Sequence, residues 1–247
     1  MKIECVSLRE CLKGKKRIDV VSKIISRSQS DVILFCGRTL INEKDICDLQ
    51  ERINNNHTFV VFEVSHIKES NYVKLDNGLF IIEDGQIKNL FSNQLFSTSK
   101  EIDGNEMLCE RFINELKTRR TFKVGNMSCL IIQCGELNII KNLQNRDNYP
   151  IFRHSQRTDL QVRFSNLLFK TNIILNPIHT PMGNQPKMEK RRKYLSSDKR
   201  YYFSTSQDGG VRINANTLQY AYHDGEIINE QFRDVTDDYQ IRMYEIE

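Results

Sequence analysis

Apolar residues in this chain come in short runs divided by polar or glycine-marked breaks, and the spacing inside the runs switches between strand and helix periods. Residues 1–8 alternate well enough for a strand. A basic linker, 13–17, leads to an amphipathic helix over 18–27, with Val20, Val21, Ile24 and Ile25 on one face. Residues 31–36 read as a buried strand closed by Gly37. Caps at 42–45 open a helix running to about residue 54. A third strand, 58–64, is rich in Val and Phe. This β-α-β-α-β order is the rhythm of a layered α/β sheet.

The rhythm then changes. Residues 72–75, 78–83 and 86–91 predict meandering strands, with Asp84-Gly85 as a two-residue hairpin turn. A loop over 92–103 precedes a helix over 105–117. Strands follow at 121–124 and 127–134, joined through Gly125-Asn126, and a polar loop then runs to about Pro150. A helix over 159–168, a strand over 172–175 ended by Asn176-Pro177, a basic helix over 187–195 and a strand over 200–206 complete the main body. Residues 209–247 carry turn signals at Asp208-Gly209-Gly210 and Asp224-Gly225 and end in strands, one of them at 239–244. No repeat or long linker divides the chain. The expectation is one domain over 1–247, with 208–247 a C-terminal extension.

Composition narrows the class. The chain has 247 residues, 28% of them charged and 39% hydrophobic, which predicts a soluble globular protein with a sizeable core. No window reaches the length of a membrane span, and the N-terminus lacks the pattern of a signal peptide. Seven cysteines, without CxxC or Cys/His spacing, favour reduced thiols in a cytoplasmic setting over a disulfide framework or a zinc site. No cofactor or metal motif stands out. A net charge of +4 does not by itself argue for nucleic acid.

The chemistry concentrates in 123–136, KVGNMSCLIIQCGE. The run Cys129-Leu130-Ile131-Ile132 reads as a buried strand, and Cys134 with Gly135 stands at its end. A cysteine on such a turn is where an α/β fold presents a nucleophile, with backbone N–H groups facing the reacting carbonyl. The plain alternative is an inert thiol capping a core strand.

Together with the opening strand, Asp31-Val32-Ile33-Leu34-Phe35, the Asn77-Gly78…Asp84-Gly85 hairpin, Asn176-Pro177-Ile178-His179-Thr180-Pro181 and Tyr202-Phe203-Ser204-Thr205-Ser206, this stretch resembles the carbon–nitrogen hydrolase (nitrilase-like) superfamily. The resemblance runs from residue 1 to about residue 207. It implies an α/β fold, a four-layer α-β-β-α sandwich, and a homodimer. It also implies hydrolysis of small amides, nitriles, carbamoyl compounds or glutamine side chains by a cysteine, a glutamate base, a lysine and a supporting glutamate. Cys134 matches the nucleophile, and Glu101 matches the supporting glutamate to within a residue. Glu136 stands where some members carry an acidic residue. The base and the lysine do not match: their places hold Gly37 and Ser92. A missing base removes roughly 10²- to 10⁴-fold, and a missing oxyanion partner on the order of 10²- to 10³-fold.

Two functions follow as expectations. One is a divergent member, degenerate for the usual amide hydrolysis, that binds a small amide or carboxylate or a protein partner. The other is an active thiol hydrolase in which Cys134 attacks and Glu101, Glu136 or His179 takes the proton. Against those roles stand bland ones: Glu136 a cap, Glu101 a solvated loop residue, His179 a structural turn histidine. A weaker alternative uses residues 187–200, where Lys187, Lys190, Arg191, Arg192, Lys193, Lys199 and Arg200 face only Glu189 and Asp198, to hold an anionic partner or nucleic acid. Its bland rival is a solvated helix face.

Overall fold

The computed structural model describes residues 1–53, 57–69, 73–181, 185–209 and 217–247. Its first part runs β1 (Lys2–Leu8), α1 (Gly14–Arg27), β2 (Val32–Phe35), β3 (Leu40–Asn42), α2 (Lys44–Gln50), β4 (Phe59–Glu69), β5 (Val73–Glu83) and β6 (Gln86–Asn93). The middle runs α3 (Ser99–Ile102), α4 (Glu106–Arg119), β7 (Thr121–Val124), β8 (Met127–Ile131), β9 (Ile140–Leu143) and β10 (Tyr149–Phe152). Then come α5 (Thr158–Phe169), β11 (Ile173–Ile178), α6 (Gln185–Ser196), β12 (Tyr201–Ser206), β13 (Gln219–His223), β14 (Glu226–Ile227), β15 (Phe232–Val235) and β16 (Tyr239–Glu245).

Two mixed sheets carry the fold. One has the order β15-β16-β1-β2-β4-β5-β6, with β3 beside β4; the other has the order β14-β13-β12-β11-β8-β7. Every residue of β2 is buried, as expected for a strand covered on both faces. Ile3, Cys5, Val32, Leu34 and Val61 of the first sheet meet Cys129, Ile131, Ile173, Leu175 and Phe203 of the second in one core. On the outer face of the first sheet lie Ile18, Val21, Ile24 and Ile25 of α1. On the outer face of the second lie Cys109, Phe112 and Leu116 of α4, Phe164 of α5 and Leu195 of α6. Helices therefore cover both sides of two facing sheets, the expected α-β-β-α layering.

Several boundaries differ from the sequence reading. The basic stretch 13–17 is no linker: α1 begins at Gly14, and Arg17 is 2% exposed. Its guanidinium donates to the carbonyls of Thr39 (2.6 Å), Arg38 (2.7 Å), Leu12 (2.8 Å) and Arg9 (3.3 Å). Helix α2 stops at Gln50. The two strands expected at 72–75 and 78–83 are one strand, β5, because β4 supplies a continuous antiparallel partner. The expected loop 92–103 contains α3, and the loop after Cys134 contains the β9–β10 hairpin. Strand β11 passes through Asn176-Pro177 to Ile178, since β12 pairs with it to the end. Beyond Ile131, β8 no longer pairs with β11, so the missing N–H of Pro177 interrupts no ladder on that side. Asn54, Tyr72 and Gly210, named in the sequence reading, lie outside the described residues.

The C-terminal residues build into both sheets. Strand β13 pairs with β12, and β16 pairs with β1 over seven residues, both antiparallel. Gln219 of β13 donates across the layers to the carbonyls of Cys5 (2.6 Å) and Gln240 (3.0 Å). Among the described residues, no helix is long and apolar enough to cross a membrane.

Candidate functional site

Strand β8 ends at Ile131, and Cys134 opens a 3₁₀ turn over Cys134–Ile139. The sulfur therefore stands one turn beyond the strand, not on it. Three contacts fix this elbow. Asn176 of β11 donates its side-chain amide to the Ile132 carbonyl and accepts the Tyr202 hydroxyl at 2.7 Å. Glu136 reaches back to accept from the Gln133 N–H at 2.9 Å. Gly135 lies under the 96–97 loop: a Cβ there would stand 2.4 Å from the Ser97 Cα. Only glycine fits that approach.

Glu136 is fully buried, and its other partners are the Leu95 N–H at 2.9 Å and the Arg120 guanidinium. Arg120 is equally buried and also donates to the Ser92 hydroxyl (2.6 Å) and the Asn93 carbonyl (2.7 Å). A cation thus bonds to Ser92, where the resemblance would put a lysine, but its charge is matched by Glu136. Three donors engage the Glu136 carboxylate, which acts as the brace of the turn. Glu101 accepts from the Ser97 N–H at 2.7 Å and the Thr98 hydroxyl at 3.1 Å, capping the short α3. The Ser97 N–H and then the Thr98 donors hold its carboxyl below the usual range. Neither glutamate has a hydrogen bond to the Cys134 sulfur among the described residues.

His179, just past β11, does reach the site. Its main-chain N–H and that of Thr180 point at the Cys134 sulfur, and its Nε2 lies 2.7 Å from Glu63 Oε2. Burial nevertheless pushes the thiol up to about 11, with the Glu63 charge adding to the rise. The two N–H groups and the Arg38 charge pull the other way and are outweighed.

Glu63 is the centre that sequence reading missed. It stands in β4, fully buried, and accepts from Gln133 Nε2 (2.7 Å) and the Arg38 N–H (3.2 Å) besides facing His179. Gln133 Nε2 also donates to the Asn77 carbonyl at 2.9 Å. A Cβ added at Gly37 would lie 2.2 Å from His179 Cδ2 and 3.0 Å from Glu63 Oε2. The space a side chain at 37 would enter is filled by this imidazole and this carboxylate. The sequence held one signal, an acidic residue inside the otherwise apolar run at 59–64, since a buried charge needs partners. Beside the cluster, at the C-terminal ends of β2 and β4, a cavity of about 1210 Å³ is lined by Arg38, Ser65 and Asn77 among others. No group of three or more His, Cys, Asp or Glu side chains among the described residues is arranged to hold a metal ion.

The basic helix is not the uniform solvated face its sequence predicts. Arg192 is 2% exposed, lies over the Tyr220 ring at 3.6 Å and donates to Gln185. Arg191 donates to Asn142 and Asn138, while Lys190 and Lys193 pair with Asp147 and Glu189.

No family model and no curated protein matches the sequence. Solved structures do match the fold. A glutamine-dependent NAD(+) synthetase from Cytophaga hutchinsonii aligns over 99% of this chain with TM-score 0.59 and 10% identity. The alignment spans 42% of the synthetase chain. A mutant of the amidase from Nesterenkonia sp. AN1, bearing acrylamide added at its active-site cysteine, aligns over 100% of this chain and 93% of its own, with TM-score 0.58 and 8% identity. XC1258 from Xanthomonas campestris, a CN-hydrolase superfamily protein with an arsenic adduct in its active site, gives TM-score 0.54 and 9% identity over 99% and 90% of the two chains. The architecture is the nitrilase-like one.

Proposed function

We propose that this chain is a divergent carbon–nitrogen hydrolase-like protein that does not hydrolyse amides by the superfamily's usual route and instead binds a small molecule or a protein partner. One observation carries the reading: the room beside Gly37, where the resemblance puts a glutamate base, is closed by the His179 ring and the Glu63 carboxylate. Glu63 is engaged by a main-chain N–H, an amide and an imidazole, and the thiol it faces is held at about 11. At neutral pH roughly one such thiol in ten thousand is ionised. The reading includes one domain, a homodimer and a cytoplasmic setting, the dimer being tested by sedimentation against the 29.1 kDa chain mass.

Ammonia release from a panel of small amides, nitriles and glutamine tests the central claim. Wild-type protein should show no turnover above that of Cys134→Ala. A second reading rests on a specific contact, His179 Nε2 to Glu63 Oε2 beside the sulfur. In it Cys134 is the nucleophile, His179 accepts the proton and Glu63 orients the imidazole. Turnover abolished by Cys134→Ala and by His179→Gln, and lowered by Glu63→Gln, selects that reading over the first.

A further inference from the structure

Four cations without a partner among the described residues line one cavity, and it is not at the basic helix. On α6, Lys190 and Arg191 are met by Asp147 and Asn142, and Arg192 and Lys193 by Gln185 and Glu189 of the helix itself. By contrast, Lys13, Lys15, Arg38 and Lys44 line the cavity of about 1210 Å³, and their side chains have no hydrogen-bond or ion-pair partner among the described residues. Three carboxylates line it as well, Glu10, Asp45 and Asp48, one fewer than these cations; Asp45 also accepts the Asn42 N–H at 3.0 Å.

The cavity wall also holds the start of α1. This helix is 14 residues long, has no side-chain cap and no acidic residue in its first turn. Its first N–H groups therefore present partial positive charge toward Lys13 and Lys15. Nothing lies within 4 Å of a Cβ built at Gly14, so the approach is open. A helix end alone would not make a site. The independent observation is Ser65: this cavity-lining residue of β4 is 5% exposed, and its hydroxyl has no hydrogen-bond partner. A buried hydroxyl without a partner is destabilising unless something arrives to meet it. Ser65 stands two residues beyond Glu63, on the same face of the strand. Arg38 borders both the cavity and the Cys134 surroundings. Its loop is held by the buried Arg17 guanidinium from below and by Glu63 from the side.

We propose that this cavity binds a phosphorylated small molecule, with Lys13, Lys15, Arg38 and the α1 N–H groups meeting the phosphate and the Ser65 hydroxyl meeting a polar group of the ligand. Four cations and a helix end match a multiply charged oxyanion better than a single carboxylate, and the volume suits a body larger than inorganic phosphate. The inference deepens the proposed binding role by naming the ligand class.

Calorimetric titration of the full chain with inorganic pyrophosphate at low ionic strength tests it, with citrate as the carboxylate arm. Pyrophosphate should bind saturably and more tightly than citrate. Arg38→Gln and Lys15→Gln should each weaken it on the order of tenfold. Ser65→Ala should weaken binding while leaving the melting temperature unchanged or raised, because it removes an unmatched hydroxyl. Lys190→Gln, on α6, should change nothing. Absence of saturable binding overturns the inference. So does binding insensitive to Arg38→Gln and Lys15→Gln, a loss caused by Lys190→Gln, or tighter binding of citrate. Amide turnover by the same preparation would overturn the proposed function and leave the titration result standing.

Discussion

Around Cys134 the electrostatic balance is set by burial. Two N–H groups and a guanidinium favour the thiolate, yet removal from water outweighs them and takes the thiol to about 11. Iodoacetamide at neutral pH should therefore modify the exposed Cys11 and Cys47 first. The Cys134 rate should climb roughly tenfold per pH unit until near 11. Peptide mass mapping across a pH series reads this, and preferential labelling of Cys134 at pH 7 would sink the argument. Gly37 gives a second test. A methyl group there would stand 2.2 Å from His179 Cδ2, so Gly37→Ala should be destabilising by about 1–3 kcal/mol in urea unfolding. An unchanged midpoint would mean that the imidazole is free to move aside.

Among the supports of the elbow after β8, Glu136 is held in turn by a buried pair with Arg120, both side chains at 0% exposure. Removing one partner leaves a charge in the core, so Arg120→Met should cost about 3–5 kcal/mol. Arg120→Met combined with Glu136→Met should recover a large part of that loss, which denaturant unfolding of the two variants measures. A double variant as unstable as the single would assign the loss to packing instead of to the stranded charge. Helix α6 is also divided. Arg192→Ala removes a buried cation–π contact and should lower stability by about 1–3 kcal/mol, whereas Lys190→Ala should change it by under about 0.5 kcal/mol. Equal effects from the two substitutions would contradict this division of the helix.

Across the whole molecule the cysteines act together. Burial raises Cys5, takes Cys36 to about 11, Cys109 and Cys129 to about 12, and leaves Cys134 at about 11, all from an unperturbed value of 9.0. A raised folded-state value means that the folded chain holds these protons more tightly than the unfolded chain does. The resulting stability is complete below about pH 9 and falls as pH rises toward 11–12, by at most about 1.4 kcal/mol per pH unit for each thiol. Thermal unfolding from pH 7 to 11 should show a flat region followed by a steep decline beginning near pH 9. A midpoint that holds steady to pH 11 would show that the buried thiols do not govern alkaline stability.

Periodicity alone determined the layered α/β class, most helix and strand positions and the buried strand that leads to Cys134, because those features depend on how each residue relates to its near neighbours. The same pattern foresaw the strand at 239–244 but missed β9 and β10, the course of β11 through Pro177 and which sheets the C-terminal strands join, since pairing partners decide those. Glu63 stood in plain view within an apolar run, but nothing local says that His179, 116 residues away, and Gln133, 70 residues away, are its partners. Equally, the spacing of Glu136 and Glu101 cannot tell a base from a brace; that depends on Arg120, Leu95 and Ser97 being brought against them. Charge distribution misled for the same reason: the cations of the basic helix are mostly matched in space, while Lys13, Lys15, Arg38 and Lys44, without partners among the described residues, come together around one cavity only in the folded chain.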